Sequence, residues 1–173
     1  MGQPVGAAPR LRSRRRIMNV NIKVCHHHGF TVKNVQRSAA FYRDVFELEL
    51  VRISDRSNIP SYDRMLGYED VVLRVAILRH PVNDFLLELI EYVHPPGEAL
   101  PLENRHIGAS HLAFEVRDAD ACYQRLSDAG GRWISPPTDI VRDGRRVARG
   151  MYALDPDGIS IELFEQYQDV VEQ

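Results

Sequence analysis

The hydrophobic and polar positions of this chain follow one pattern twice. Residues 27–32 and 111–116 both read H-x-x-F-x-V, and the alternation of apolar with other side chains predicts a β-strand in each place. A residue of the helix-capping type follows each strand by two positions, Asn34 in the first copy and Asp118 in the second. Because the whole pattern recurs, the sequence predicts a fold built from two related units.

A helix is predicted after each capping residue. Small and apolar side chains recur there at the spacing i, i+3, i+4 and i+7, which places them on one face of a helix. Gly130 and Gly131 predict the end of the second helix. The residues on the predicted faces are Ser38, Phe41, Tyr42, Val45 and Phe46 in the first unit, and Ala119, Cys122, Tyr123 and Leu126 in the second.

The closing segments of the two units also match. Residues 87–91 and 161–165 both read apolar-E-L-apolar-E, which predicts a last strand in each unit. Further strands are predicted between the helix and the last strand of each unit. They lie at residues 71–78, 132–135 and 147–154.

These elements predict an α+β fold of paired βαβββ modules. The first module covers residues 19–93, and the second covers residues 108–173, including a C-terminal tail. Residues 94–107 begin with His-Pro-Pro-Gly, which breaks regular structure, so we expect a linker there.

The composition fits a globular protein and excludes several classes. Of the 173 residues, 44% are hydrophobic and 27% are charged, so the chain can bury a core. No apolar run reaches the roughly 18–20 residues that would span a bilayer. The net charge of −2, from 22 basic and 24 acidic residues, argues against a protein that binds nucleic acid through its overall charge. We therefore expect neither a nucleic-acid nor a membrane partner.

A basic stretch precedes the first module. Five arginines lie between residues 10 and 16, and no acidic residue occurs before Asp44. We expect residues 1–18 to be a disordered basic tail, with translation from Met18 or a targeting segment as alternatives. The two cysteines, Cys25 and Cys122, are too far apart in the sequence to form a disulfide framework, which indicates a reducing cytoplasm.

Four residues stand at equivalent positions of the repeat and carry the candidate chemistry. His27 and His111 open the first strand of each module, and Glu88 and Glu162 lie in the last strand. Two imidazoles and two carboxylates form a mixed nitrogen and oxygen set that suits zinc, nickel, cobalt, manganese or ferrous iron. We expect one divalent metal ion per site, with one or two positions left for water or substrate.

Strand alternation predicts the faces of the neighbouring residues. His27 shares a face with Gly29, and His111 shares a face with Ala113, so each histidine has a small residue beside it. The same alternation turns the histidines at 26 and 28 to the other side, and we expect them not to be ligands. Tyr152 lies near the last strand and is a candidate for the cavity.

The motifs together resemble the vicinal oxygen chelate superfamily, which is also called the glyoxalase/bleomycin resistance/dioxygenase superfamily. They are H-H-G-F-T-V at 27–32, R-S-A-A-F-Y-R-D-V at 37–45, L-E-L-I-E at 87–91, H-L-A-F-E-V at 111–116 and D-P-D-G-I-S-I-E-L at 155–163. The resemblance implies paired βαβββ modules whose strands form a curled mixed β-sheet around a metal cavity.

The resemblance also implies a metal-dependent enzyme, with a small-molecule substrate that binds the cation through adjacent oxygens. The ligands it implies are His27, Glu88, His111 and Glu162. A divalent cation stabilises an enolate or enediolate, and a carboxylate beside it can remove a proton from carbon. Glu162 is the first candidate for that base and Glu88 the second. We expect a homodimer, with the cavity completed either within one chain or across two.

Four functions within the family stay open. Lyases of the glyoxalase I type match the His/Glu/His/Glu set, but Thr31 and Tyr92 stand where their glutathione-contacting Arg and Asn would lie. An epimerase of the methylmalonyl-CoA type shares the H-L-A-F-E-V motif. An iron-dependent ring-cleaving dioxygenase needs a second histidine where Glu88 stands. A non-catalytic antibiotic-binding protein is the fourth possibility. We expect a lyase or isomerase that is not a standard glutathione-dependent glyoxalase.

The arginines give weaker expectations. Arg74 lies in an apolar strand, where it can meet an anionic substrate or pair with a carboxylate. Several arginines surround the turn signal Asp143-Gly144, which predicts a solvated hairpin tip, with a loop over the cavity as the alternative. They are Arg142, Arg145, Arg146 and Arg149.

Overall fold

The computed structural model describes residues 21–100, 103–128 and 130–167. The predicted basic tail and the last six residues lie outside these ranges. The elements of the first module are β1 (His28–Thr31), α1 (Val35–Phe46), β2 (Glu49–Arg56), α2 (Pro60–Leu66), β3 (Val72–Arg79) and β4 (Leu86–His94). Those of the second are β5 (His111–Glu115), α3 (Ala119–Asp128), β6 (Arg132–Trp133), β7 (Thr138–Arg142), β8 (Arg145–Leu154) and β9 (Ser160–Gln166).

Each module forms its own mixed sheet. The first has the strand order β1-β4-β3-β2, and the second has the order β5-β9-β8-β6, with β7 also paired to β8. The first strand of each module runs parallel to the last strand, while the other pairs are antiparallel. The predicted α+β fold of paired modules is confirmed. The strands form two sheets rather than one continuous sheet, because β1 and β5 each stay at an edge of their own sheet.

Both long helices begin at the predicted capping residues. The side chain of Asn34 accepts a hydrogen bond from the N–H of Arg37 at 2.8 Å, and that of Asp118 accepts one from the N–H of Ala121 at 2.8 Å. Each bond satisfies a backbone donor that the helix itself leaves free. The part of the chain that the structure describes contains no helix long and apolar enough to cross a membrane.

The second glutamate of each E-L-apolar-E motif accepts a hydrogen bond from the first residue of a helix. A carboxylate oxygen of Glu91 accepts the N–H of Val35 at 2.9 Å, and one of Glu165 accepts the N–H of Ala119 at 3.1 Å. Residues three apart on a strand lie on opposite faces of the sheet. The first glutamate of each motif therefore faces away from the helix, which leaves it free for other chemistry.

One hydrophobic core joins the two modules. The helix α1 packs against β3 and β4, and α3 packs against β8 and β9. Most of the buried side chains of both modules belong to one cluster, against which the stacked rings of Phe46 and Phe114 pack at a centroid distance of 5.1 Å. Its fully buried members include Val35, Tyr42, Leu87, Leu89, Ile161 and Leu163.

A buried carboxylate in the Asp-Pro-Asp-Gly turn makes a polar connection between the modules. Asp155 is fully buried and accepts hydrogen bonds from the N–H groups of Asp157 and Ile159, both at 2.8 Å. It also accepts the hydroxyl of Tyr42, from α1 of the other module, at 3.3 Å. Burial raises the pKa of the Asp155 carboxyl, and the two N–H bonds oppose that rise.

The next acidic residue of the turn extends this connection. The carboxylate of Asp157 accepts the backbone N–H of Lys33 at 3.0 Å and pairs with the guanidinium of Arg37. The Asp-Pro-Asp-Gly turn thus ties the start of the first helix to the second module.

We expect Asp155→Ala to destabilise the protein by about 2–4 kcal/mol, because three donors lose a buried acceptor. Urea denaturation followed by circular dichroism measures the loss. Asp155→Asn is the matched control, since its amide oxygen still accepts the two turn N–H groups, and it should be the milder of the two. A change within about 0.5 kcal/mol for Asp155→Ala contradicts the role given to this turn.

Candidate metal centre

The first module brings His27 and Glu88 together. His27 immediately precedes β1, and Glu88 lies on β4, where Gly29 is its register partner. The Nε2 atom of His27 lies 3.2 Å from a carboxylate oxygen of Glu88. Gly29 leaves open space beside the pair, since an added Cβ would meet no atom within 4 Å.

The second module repeats this geometry. His111 opens β5, and Ala113, two residues later, is the register partner of Glu162 on β9. The Nε2 atom of His111 lies 3.1 Å from a carboxylate oxygen of Glu162. The two histidine side chains are 41% and 44% exposed, and the two glutamates 25% and 27%, so both pairs are open to ligands.

The spacing within each pair fits a shared cation. Nitrogen and oxygen ligands lie about 2.0–2.2 Å from zinc, so two neighbouring ligands at 90–110° are about 3.0–3.4 Å apart. The separations of 3.2 and 3.1 Å fall within that range. Each pair therefore suits two adjacent coordination positions of a divalent cation.

The two pairs do not meet within one chain. They lie on different sheets, and the described residues contain no group of three or more His, Cys, Asp or Glu side chains that could hold a metal ion. The structure thus gathers the four predicted ligands as two halves. Each half lies beside an edge strand, β1 in the first module and β5 in the second.

The two histidines that flank His27 have different surroundings. The Nδ1 atoms of His26 and His27 are 2.9 Å apart, so one ring donates to the other and the Nε2 atom of His27 is left toward Glu88. His28 points the other way, where its ring meets Phe30 edge to face at 4.6 Å.

Tyr152 lies beside the second pair. It is the cross-strand partner of Glu162, and its ring meets the ring of His111 edge to face at 5.5 Å. Burial raises the pKa of Tyr152, and the negative charge and hydrogen bond of Glu162 add to the rise. The phenol therefore stays protonated at neutral pH and can donate a hydrogen bond to this carboxylate.

Arg74 and Arg149, which do not line a cavity, form ion pairs. Arg74 pairs with Asp55 at 2.9 Å and with Glu91 at 3.5 Å, on the sheet face opposite Glu88. Arg149 pairs with two carboxylates, each at 2.7 Å, which lie in α3 and β7. The predicted hairpin turn is present, with Asp143 and Gly144 at φ of 49° and 75°.

A cavity of about 320 Å³ lies beside the second pair. Glu162 is among its lining residues and His111 is not. Of its other lining residues, Arg142 belongs to the hairpin for which the sequence left a loop over the cavity as the alternative, and the remaining ones were not predicted. Two of them follow Glu162 at alternate positions of β9, so the strand period that selects Glu162 also selects them. The lining residues are Ile140, Arg142, Val147, Ala148, Phe164 and Gln166.

Comparison with known proteins points to one family. A model of the Glyoxalase/Bleomycin resistance protein/Dioxygenase superfamily matches residues 24–163. The chain is 26% identical over 148 residues to the uncharacterized protein YaeR of Escherichia coli (strain K12), a match that covers 85% of this chain and 99% of YaeR.

Solved structures share the fold. A glyoxalase family protein from Bacillus cereus has a TM-score of 0.73 at 19% identity, covering 85% of this chain and 97% of its own. The trypanothione-dependent glyoxalase I of Leishmania major has a TM-score of 0.53 at 17% identity, covering 83% and 87%.

Proposed function

This chain belongs to the Glyoxalase/Bleomycin resistance protein/Dioxygenase superfamily, and we propose that it is a metal-dependent lyase or isomerase acting on a small oxygenated carbonyl compound. The observation that carries the proposal is the repeated His–Glu pair, at the same register and nearly the same spacing in both modules. A repeated pair of metal-ligand type, open to solvent, supports a role in binding a cation rather than in packing.

We propose that the four ligands come together across a homodimer. The first pair of one chain and the second pair of its partner would then hold one cation, and two-fold symmetry would give two such sites. Two observations support this arrangement. Among the described residues each pair supplies only two ligands, and each pair lies beside a strand at the edge of its sheet, where another chain can add a strand.

The proposed chemistry is proton removal next to a carbonyl group. A divalent cation in this site would supply Lewis-acid stabilisation of the negative charge that develops on the carbonyl oxygen. The four ligands His27, Glu88, His111 and Glu162 hold the cation in this proposal, and Glu162 serves as the base as well. Glu162 removes the proton, because it lines a cavity that a substrate can enter. Tyr152 positions the Glu162 carboxylate through its hydroxyl.

The surroundings of Tyr92 support a substrate other than a standard glutathione adduct. This side chain packs in an apolar cluster beneath α2, and its ring meets that of Tyr68 at 6.2 Å. It therefore does not offer the amide contact that the Asn of glyoxalase I-type lyases gives. Both cysteines are free, which fits the proposed cytoplasmic location, since a reducing compartment keeps thiols unpaired.

We expect the purified protein to hold about one transition metal ion per chain, and His27→Ala and His111→Ala each to lose most of it. Each variant removes one of four ligands, which should weaken metal binding by more than the roughly 10- to 100-fold that loss of a ligand's hydrogen-bond partner costs. Mass spectrometry of metal content measures the loss, and His94→Ala, an exposed histidine at the end of β4, is the matched control. Wild-type metal content in both ligand variants contradicts the proposed site.

Mixing the two ligand variants distinguishes a site across two chains from a site within one. In a mixed dimer, one site has lost both histidines and the other is intact. After random exchange, half of the dimers are mixed, so about a quarter of the wild-type metal content should return. A site formed within one chain would regain none, and that result contradicts the shared site.

We expect Glu162→Gln to slow proton exchange by about 10²-fold or more, because an amide cannot accept the proton. The variant should keep most of its metal, because the amide oxygen and the other three ligands stay in place. Deuterium incorporation from solvent, followed by NMR, measures this step. The probes are methylmalonyl-CoA and the hemithioacetals of methylglyoxal with glutathione and with 2-mercaptoethanol. Exchange that is unaffected by Glu162→Gln contradicts the assignment of Glu162 as the base.

Two other results support the alternative functions. Oxygen uptake with a catechol supports a dioxygenase instead, and stoichiometric ligand binding without turnover supports a sequestering protein.

A further inference from the structure

The two sheets differ in what covers the face that carries the His–Glu pair. Alternation places Ile90 and Tyr92 of β4 on the same face as Glu88. In the first module this face is filled, since α2 packs Tyr62 and Leu66 into its apolar cluster. In the second module α3 packs on the core side, so it does not cover the face of Glu162.

The open face of the second sheet carries the 320 Å³ cavity, which has a different character at each end. Glu162, Phe164 and Gln166 line it at alternate positions of β9. At about 3.3 Å per residue, the Cα atoms of Glu162 and Gln166 are about 13 Å apart. The cavity is therefore elongated along the strand, with the proposed base at one end.

The positively charged side chain of Arg142 lies toward the end of the cavity that is far from Glu162. Along β7, Thr138 pairs with Gly150, Ile140 pairs with Ala148, and Arg142 follows beyond them. In β9, Gln166 is the residue opposite Ala148, so Arg142 lies at or beyond the Gln166 end. Phe164 lines the middle of the cavity, and Ile140, Val147 and Ala148 add apolar surface toward the Gln166 end.

We propose that the substrate of this site is a small organic anion with an apolar body, and that Arg142 determines this specificity. The inference rests on the proposed function, because it places the oxygenated carbon of the substrate beside Glu162. The anionic group lies at the other end, where the guanidinium of Arg142 and the side-chain amide of Gln166 donate hydrogen bonds. The apolar body lies against Phe164 and Ala148.

The separation of the two ends makes this arrangement electrostatically possible. A substrate anion next to Glu162 would be repelled by its carboxylate. The two ends are about 13 Å apart between Cα atoms, so by Coulomb's law the repulsion there is about a third of its value at 4 Å. A guanidinium donates two parallel bonds to a carboxylate or a phosphate, which favours an anion over a neutral group of the same shape.

Ligand binding tests the proposal without requiring turnover. The probes are 4-phenylbutanoate, its neutral amide and phenyl phosphate, titrated into the metal-loaded protein and followed by the methyl NMR signals of Ile140, Val147 and Ala148. We expect 4-phenylbutanoate or phenyl phosphate to bind at least about tenfold more tightly than the amide. The tighter of the two anions identifies the group as carboxylate or phosphate.

The matched variants are Arg142→Ala and Arg145→Ala. The two arginines are cross-strand neighbours in the same hairpin, but of the two only Arg142 lines the cavity. Arg142→Ala should abolish the preference for the anion, and Arg145→Ala should keep it. Equal binding of anion and amide by the wild type overturns the proposal, as does an equal loss in both variants.

A second variant tests the position of the apolar body. Ala148→Phe fills the part of the cavity opposite Gln166 without changing its charge, so it should weaken the binding of the anion and of the amide alike by about tenfold or more. Unchanged binding in a folded Ala148→Phe protein overturns the proposal. If the protein binds no metal but still prefers the anion, the anion-binding site is supported and the proposed enzyme function is refuted. Failure of the binding site and failure of the proposed function therefore give different results.

Discussion

The parallel pairing of the first and last strands of each module is the constraint on which the site depends. This pairing joins segments about 60 residues apart in the first module and about 50 apart in the second, and it uses the same register in both. It places a histidine Nε2 within 3.2 Å of a glutamate oxygen in each case. A shift of one residue would turn the glutamate to the helix side of the sheet and separate the pair.

The E-L-apolar-E motif shows how one short segment serves both folding and chemistry. Its first glutamate faces the candidate metal centre, and its second satisfies the N-terminal backbone N–H of a helix on the opposite face. The helix face is the one buried in the shared core, so the chemistry is confined to the other face. Glu91 and Glu165 therefore help to hold in place the strands that present the candidate ligands.

The two modules share the same framework but differ on the candidate ligand faces. In the first module, α2 fills this face with an apolar cluster, so the His–Glu pair there has space only at its edge. In the second module the face stays open, and the hairpin of β7 and β8 borders a cavity. The first pair is thus suited to hold a cation, while the second is suited to hold a cation and also to meet a substrate.

The sequence by itself determined the repeat, the two helices with their capping residues, the α+β fold and the equivalent positions of the four candidate ligands. These follow from local periodicity and capping, which act between residues close in the chain. Only the tertiary structure decided that the four ligands form two separate halves, that Asp155 joins the modules through Tyr42, and that α2 fills one face while Arg142 borders the other. Such contacts link residues far apart in the chain, and their geometry depends on how two complete sheets pack, which no local pattern records.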